Sequence, residues 1–186
     1  MTIPESVTIR PDDALWPKTL TERLGSSAPT ALQAIGPVAP LAARRTALFC
    51  SARTPGDAIL RAHDAARRMR DAGVTVISGF HSPIEKDCLR ILLRGKQPII
   101  VCPARAIEGM RIPPECRAAC EAGRLLFLSP FTEQPRRVTQ GSALRRNEVV
   151  AALADEVFIA HITLGGRTRL MAEMLRRWGV RSIPNG

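Results

Sequence analysis

Residues 45–78 read RTALFCSARTPGDAILRAHDAARRMRDAGVTVIS, and this stretch decides the fold. Its ends, Thr46–Ser51 (TALFCS) and Val74–Ser78 (VTVIS), are short apolar runs of strand length, with no regular alternation that would turn one face to water. Between them Ile59, Ala62, Ala66, Met69 and Ala72 recur at three- and four-residue steps. That spacing predicts a helix from about Pro55 to Ala72, with its apolar stripe on a sheet and Arg61, Asp64, Arg67, Arg68 and Asp71 facing water. Strands that are apolar on both faces and linked by such a helix belong to a parallel sheet covered on both sides.

Downstream the pattern repeats. Further strands are expected at Pro98–Cys102 (PIIVC), Arg124–Leu128 (RLLFL), Glu156–His161 (EVFIAH) and a short Val180–Ile183. A helix opens at Ser82-Pro83-Ile84-Glu85, where Ser caps free amides, Pro suits the first turn and Glu completes a capping box. Other helices are expected near Pro113–Ala122, Ser142–Ala154 and Arg167–Trp178, the last carrying a core stripe of Leu170, Met171, Met174, Leu175 and Trp178. Upstream, Trp16 to Leu41 is predicted as one or two short helices (PKTLTERLG and TALQAIG) broken by Gly25, Pro29 and Gly36. The expectation is an α/β, Rossmann-like, doubly wound and mainly parallel sheet of about six strands. Residues 45–186 form that domain, and residues 1–44 a helical extension packed on it.

Composition bounds the partners. The 186 residues suffice for one domain with a real core, and 45% apolar and 24% charged residues are ordinary globular values. No apolar run approaches bilayer length, and the acidic start MTIPESVTIRPDD lacks the form of a secretory signal, so a cytoplasmic protein with no membrane partner is expected. Cys50, Cys88, Cys102, Cys116 and Cys120 include no CxxC pair and no zinc spacing with His, which predicts reduced, mostly buried thiols and no metal. A net charge of +10, from 24 Arg and 3 Lys against 17 acids, favours anionic partners, nucleic acid foremost.

In such sheets ligands sit beyond the carboxyl ends of the strands, where helix N-termini offer unpaired amides. The turn after the first strand, Cys50-Ser51-Ala52-Arg53-Thr54-Pro55-Gly56, combines small residues with two hydroxyls and an arginine fit to clamp phosphate, Thr54 also being placed to cap the helix. In Ser78-Gly79-Phe80-His81-Ser82, Gly79 allows a tight bend, Ser78 offers a donor to an anion and Phe80 is the one aromatic near the pocket. The turn His161-Ile162-Thr163-Leu164-Gly165-Gly166-Arg167-Thr168 opens the last helix with a glycine pair. Arg136, Arg137, Thr139 and Arg145-Arg146-Asn147 gather at another helix start, where cations oppose the macrodipole unless acids or an anionic ligand offset them. No GxSxG elbow, Walker loop, HExxH or Cys-His pair is present, and His63, His81 and His161 stand apart, so no catalytic residue is assigned.

In order, these segments resemble the DprA (Smf) family of DNA-processing proteins, whose Rossmann-like domain belongs to a wider group that includes LOG-type phosphoribohydrolases. Ser51-Ala52-Arg53 is similar to the family's Gly-Ser-Arg turn, residues 78–85 (SGFHSPIE) to its Ser-Gly-x-Ala-x-Gly-Ile-Asp segment, and Arg146-Asn147-Glu148-Val149 to its Arg-Asn-Arg-Ile segment. Trp16-Pro17 resembles its Tyr-Pro lead-in, while Asp87-Cys88 stands where the family has Ala-His. The resemblance implies single-stranded DNA binding through a basic pocket, help in loading a recombinase during DNA uptake or repair, and a homodimer. The chain ends soon after the sheet, so no winged-helix tail is expected. The expected phosphate- or nucleic-acid-binding residues are Ser51, Arg53, Thr54, Ser78, Gly79, Arg146, Asn147, Gly165, Gly166, Arg167 and Thr168, with no cofactor and no metal. A second reading, an enzyme or sensor acting on a free nucleotide, rests on the similarity of Gly165-Gly166-Arg167-Thr168 to the LOG-type nucleotide loop.

Overall fold

The computed structural model describes residues 6–51, 54–162 and 167–184. Its strands are β1 (Val7–Ile9), β2 (Leu32–Ile35), β3 (Arg45–Phe49), β4 (Thr75–Ser78), β5 (Ile99–Val101), β6 (Leu125–Ser129), β7 (Glu156–Ile159) and β8 (Arg181–Ser182). They form one sheet in the order β1-β2-β6-β5-β4-β3-β7-β8. Every pairing from β6 to β8 is parallel, while β2 lies antiparallel on β6 and β1 antiparallel on β2. From β3 the chain steps outward through β4, β5 and β6, then crosses back to set β7 on the other side of β3. This is the Rossmann-like, doubly wound architecture, with its switch point between β3 and β7.

The helices are α1 (Lys18–Leu24), α2 (Gly56–Asp71), α3 (Pro83–Leu93), α4 (Arg117–Glu121), α5 (Gln140–Leu153) and α6 (Arg167–Arg177). Alternate side chains of each central strand enter opposite cores. Ala47, Phe49, Ile77, Ile100, Leu126, Val157 and Ile159 pack with α1, α5 and α6, whereas Leu48, Val76, Ile99, Leu125, Phe127 and Phe158 pack with α2, α3 and α4. Two-sided burial is the reason these strands are apolar throughout, each large side chain contributing about 1.5–3 kcal/mol. Among the described residues no helix is long and apolar enough to cross a membrane.

The N-terminal region departs from expectation. PKTLTERL forms α1, but TALQAIG supplies β2, and β1 precedes it, so among the described residues the sheet has eight strands rather than about six. The unpaired edge of β6 overrides the helical propensity of Leu, Gln and Ala, because every backbone group on a buried edge must find a partner. Leu32 and Ala34 enter one core, Ile35 the other, and buried Gln33 accepts Ile107 N–H at its Oε1, 3.3 Å. At the exit from β2, Gly36 has φ +108°, and a Cβ there would meet the Leu125 carbonyl oxygen at 2.5 Å, so both conformation and space demand glycine. Helix α1 is tied down by Arg23, whose Nη1 donates to the carbonyls of Ala152 and Ala154 at 2.9 and 2.6 Å. These carbonyls lie at the C-terminus of α5, where a cation is favoured.

Candidate anion and nucleic-acid site

The carboxyl ends of β3, β4, β5 and β7 stay stitched one residue beyond the strands: Ala160 N–H donates to Phe49 O at 3.1 Å and Cys102 N–H to Ser78 O at 2.8 Å. Ser78 is fully buried, donating from Oγ to Leu48 O at 2.6 Å and accepting Phe80 N–H at 3.3 Å. Its hydroxyl proton is thus spent within the turn. The bend expected at Gly79 falls instead on Phe80, whose φ of 46° puts a non-glycine residue in the left-handed region. Phe80 is 5% exposed and belongs to the core shared with Ile84, so its ring presents no stacking face to a ligand.

Gly79 serves close approach. A Cβ on Gly79 would lie 2.5 Å from Nη2 of Arg146, and closer still to Nη1 and Cζ, so the guanidinium occupies the space that any side chain would fill. Arg146, in the second turn of α5, is only 4% exposed. Its Nη1 donates to Cys102 O and its Nε to Asn147 Oδ1, both at 2.7 Å. Burial pushes this guanidinium below its ordinary pKa, and the field of Glu85 opposes that push. The group stays charged, because arginine's pKa lies far above neutrality. A buried cation is thus held against a glycine at the carboxyl ends of β4 and β5, with the Glu85 carboxylate near enough to act on it through its field.

Glu85 does more than cap a helix. The capping box of α3 forms as expected, with Glu85 N–H donating to Ser82 Oγ and Ser82 N–H to Glu85 Oε2, each at 3.2 Å. The same carboxylate accepts His81 N–H at 2.9 Å and, through Oε1, Cys50 N–H at 3.1 Å. One buried side chain therefore joins the end of β3 to the turn after β4.

The remaining expected residues divide. Pro55 takes the N-cap position of α2, and Thr54 instead donates from Oγ1 to Ser51 O at 2.7 Å, tightening the turn. Ser51 follows the Cys50 amide held by Glu85 and is itself partnered. Asn147 joins the site through Arg146. Thr168 lies in the first turn of α6, half-buried and partnered. Arg53, Gly165, Gly166 and the side chain of Arg167 lie outside the described residues.

Helix α5 begins at Gln140, two residues before its expected start, under a reciprocal cap of Thr139 and Ser142. Arg145 is offset locally by Glu148 at 3.1 Å and also bonds Ser27 O. Arg136 and Arg137 are exposed without an acidic partner among the described residues, as is half-buried Arg105 on the loop after β5. The two loops are joined, Ala106 N–H donating to Pro135 O at 2.9 Å and Ser129 Oγ to Arg105 O at 2.7 Å. Arg105 carries no motif in the sequence, and only this pairing of loops brings it beside Arg136. Among the described residues no cluster of three metal-ligating side chains occurs.

Residues 7–173 match the family of DNA recombination-mediator protein A. The chain belongs to this family. Among solved structures it is similar to DNA processing protein A from Streptococcus pneumoniae, with a TM-score of 0.75, 17% identity and coverage of 96% of this chain and 62% of that one. It is also similar to DNA processing protein A from Helicobacter pylori, solved to describe that protein's single-stranded DNA binding mode, with a TM-score of 0.74, 20% identity and coverage of 96% of this chain and 80% of that one. These likenesses carry the fold. The chain thus spans less than two thirds of the Streptococcus pneumoniae protein. No curated protein matches the sequence. Within this family member, Glu85 and the Cys102 carbonyl join Gly79 and Arg146 as the centre of the candidate site.

Proposed function

We propose that this chain binds single-stranded DNA through its phosphates at the carboxyl edge of β3, β4 and β7, acting in DNA uptake or recombination. The observation that carries the reading is the Arg146 guanidinium, buried against Gly79 at the carboxyl ends of β4 and β5, with Arg136 and Arg137 on the loop that leads into the same helix, exposed and without acidic partners among the described residues. Family membership and the net charge of +10 support it. Arg53, Gly165, Gly166 and Arg167 complete the phosphate contacts in this reading, residues 45–186 carry the site and residues 1–44 extend its sheet. As a homodimer the chain delivers the strand to a recombinase.

Anisotropy of a labelled oligothymidine at two salt concentrations tests the reading. Three or more phosphate contacts on a single strand give a log–log salt slope near −2, a loss of affinity of about twentyfold between 50 and 200 mM salt. Arg146→Ala weakens binding at both. A free nucleotide is the second reading, favoured by the burial of Phe49, Phe80, Phe127 and Phe158, which leaves few rings for bases to stack on. It predicts tighter binding of nucleoside phosphates than of the oligonucleotide, with less than roughly a threefold change over the same salt range.

A further inference from the structure

Resting on the single-stranded DNA reading, we infer that Glu85 is a positioning residue of the site: it locks the end of β3 to the turn after β4 and so fixes the backbone against which a phosphate is held. A helix cap needs one backbone amide, that of Ser82. Glu85 takes two more, His81 N–H on the same turn and Cys50 N–H on the neighbouring strand. Cys50 directly precedes Ser51, and His81 follows Gly79 by two residues, so both anion-facing turns hang on one carboxylate. Glu85 is 7% exposed, and no cation lies within ion-pair distance of it among the described residues. Its three hydrogen-bond donors are all backbone amides, so beside the field it exerts on Arg146 its bonds serve position.

Charge and position make opposite predictions here. A carboxylate beside an anion site repels the ligand, so if charge were its only effect, Glu85→Gln would tighten DNA binding and Glu85→Asp would leave it unchanged. Position reverses both signs. Glutamine keeps the shape but has one acceptor oxygen, so either Cys50 N–H or the His81 and Ser82 pair loses its acceptor. Aspartate keeps the charge but is one methylene too short to reach both turns.

The test is oligothymidine affinity of the full chain with E85Q and E85D, measured well below each variant's melting temperature with native far-UV dichroism as the check on folding. Both variants are expected to bind at least tenfold more weakly, with faster hydrogen exchange at the Cys50 and His81 amides. E85Q binding as tightly as the unaltered chain or more tightly, or E85D binding within twofold of it, overturns the positioning role. An unaltered chain that binds no oligonucleotide overturns the DNA reading and this inference together.

Discussion

Gly79→Ala isolates the packing of the site. Gly79 does not lie in the left-handed region, so alanine is conformationally acceptable and would ordinarily stabilise slightly by restricting the unfolded chain, about 0.4–1 kcal/mol. Space decides otherwise. Carbon and nitrogen in contact need about 3.5 Å, and the new Cβ would stand 2.5 Å from Arg146 Nη2 and nearer to Nη1 and Cζ, so the guanidinium must retreat by more than ~1 Å. That displacement breaks the 2.7 Å bond to Cys102 O and strains the 2.7 Å bond to Asn147 Oδ1. With charged hydrogen bonds worth about 1.5–3 kcal/mol each and partial recovery through water, the net loss is about 2–4 kcal/mol. For a chain of this size that lowers the melting temperature by roughly 5–15 °C. The decisive comparison is the double mutant: in an Arg146→Ala background the space is empty, so adding Gly79→Ala costs less than ~0.5 kcal/mol. Calorimetry of the four proteins gives the coupling, and the reasoning fails if Gly79→Ala melts within ~2 °C of the unaltered chain or is equally costly in both backgrounds.

Two further perturbations probe stability elsewhere. Arg23→Met removes both bonds from α1 to the Ala152 and Ala154 carbonyls and is expected to cost about 2 kcal/mol, seen as a fall of roughly 4–8 °C in melting temperature; an unchanged value would mean that β1 and β2 alone hold the N-terminal region. Burial pushes the Cys102 and Cys116 thiols from 9.0 up to about 12. Above pH 9 the unfolded chain therefore gives up these protons before the folded chain does, and the stabilisation present below pH 9 is lost as pH rises toward 12. With no Tyr and only 3 Lys, the groups that titrate there are mainly the cysteines, Cys50 and Cys120 being pushed up as well, so urea midpoints at pH 8, 9.5 and 10.5 should fall steadily, and a flat series would refute the assignment.

The five strands from β3 to β7 are legible in sequence because they are buried on both faces, and that demand writes a continuous apolar run bounded by turns, whereas β8 is a short exposed edge pair. The α3 capping box is legible because it is local, needing only Ser82 and Glu85 at fixed spacing. Other features escape because they depend on residues far apart in the chain. Leu32–Ile35 becomes a strand only because β6, some ninety residues later, presents an open edge to it. Gly79 looks like a bend residue until α5 lays Arg146 against it, and Glu85 looks like a finished cap until β3 brings Cys50 N–H to its second oxygen. Periodicity and capping are properties of neighbouring residues, and from them alone the α/β architecture could be read. Which charges are buried at the carboxyl edge of the sheet, and which backbone each of them holds, depends on contacts between distant segments, and these exist only in the folded chain.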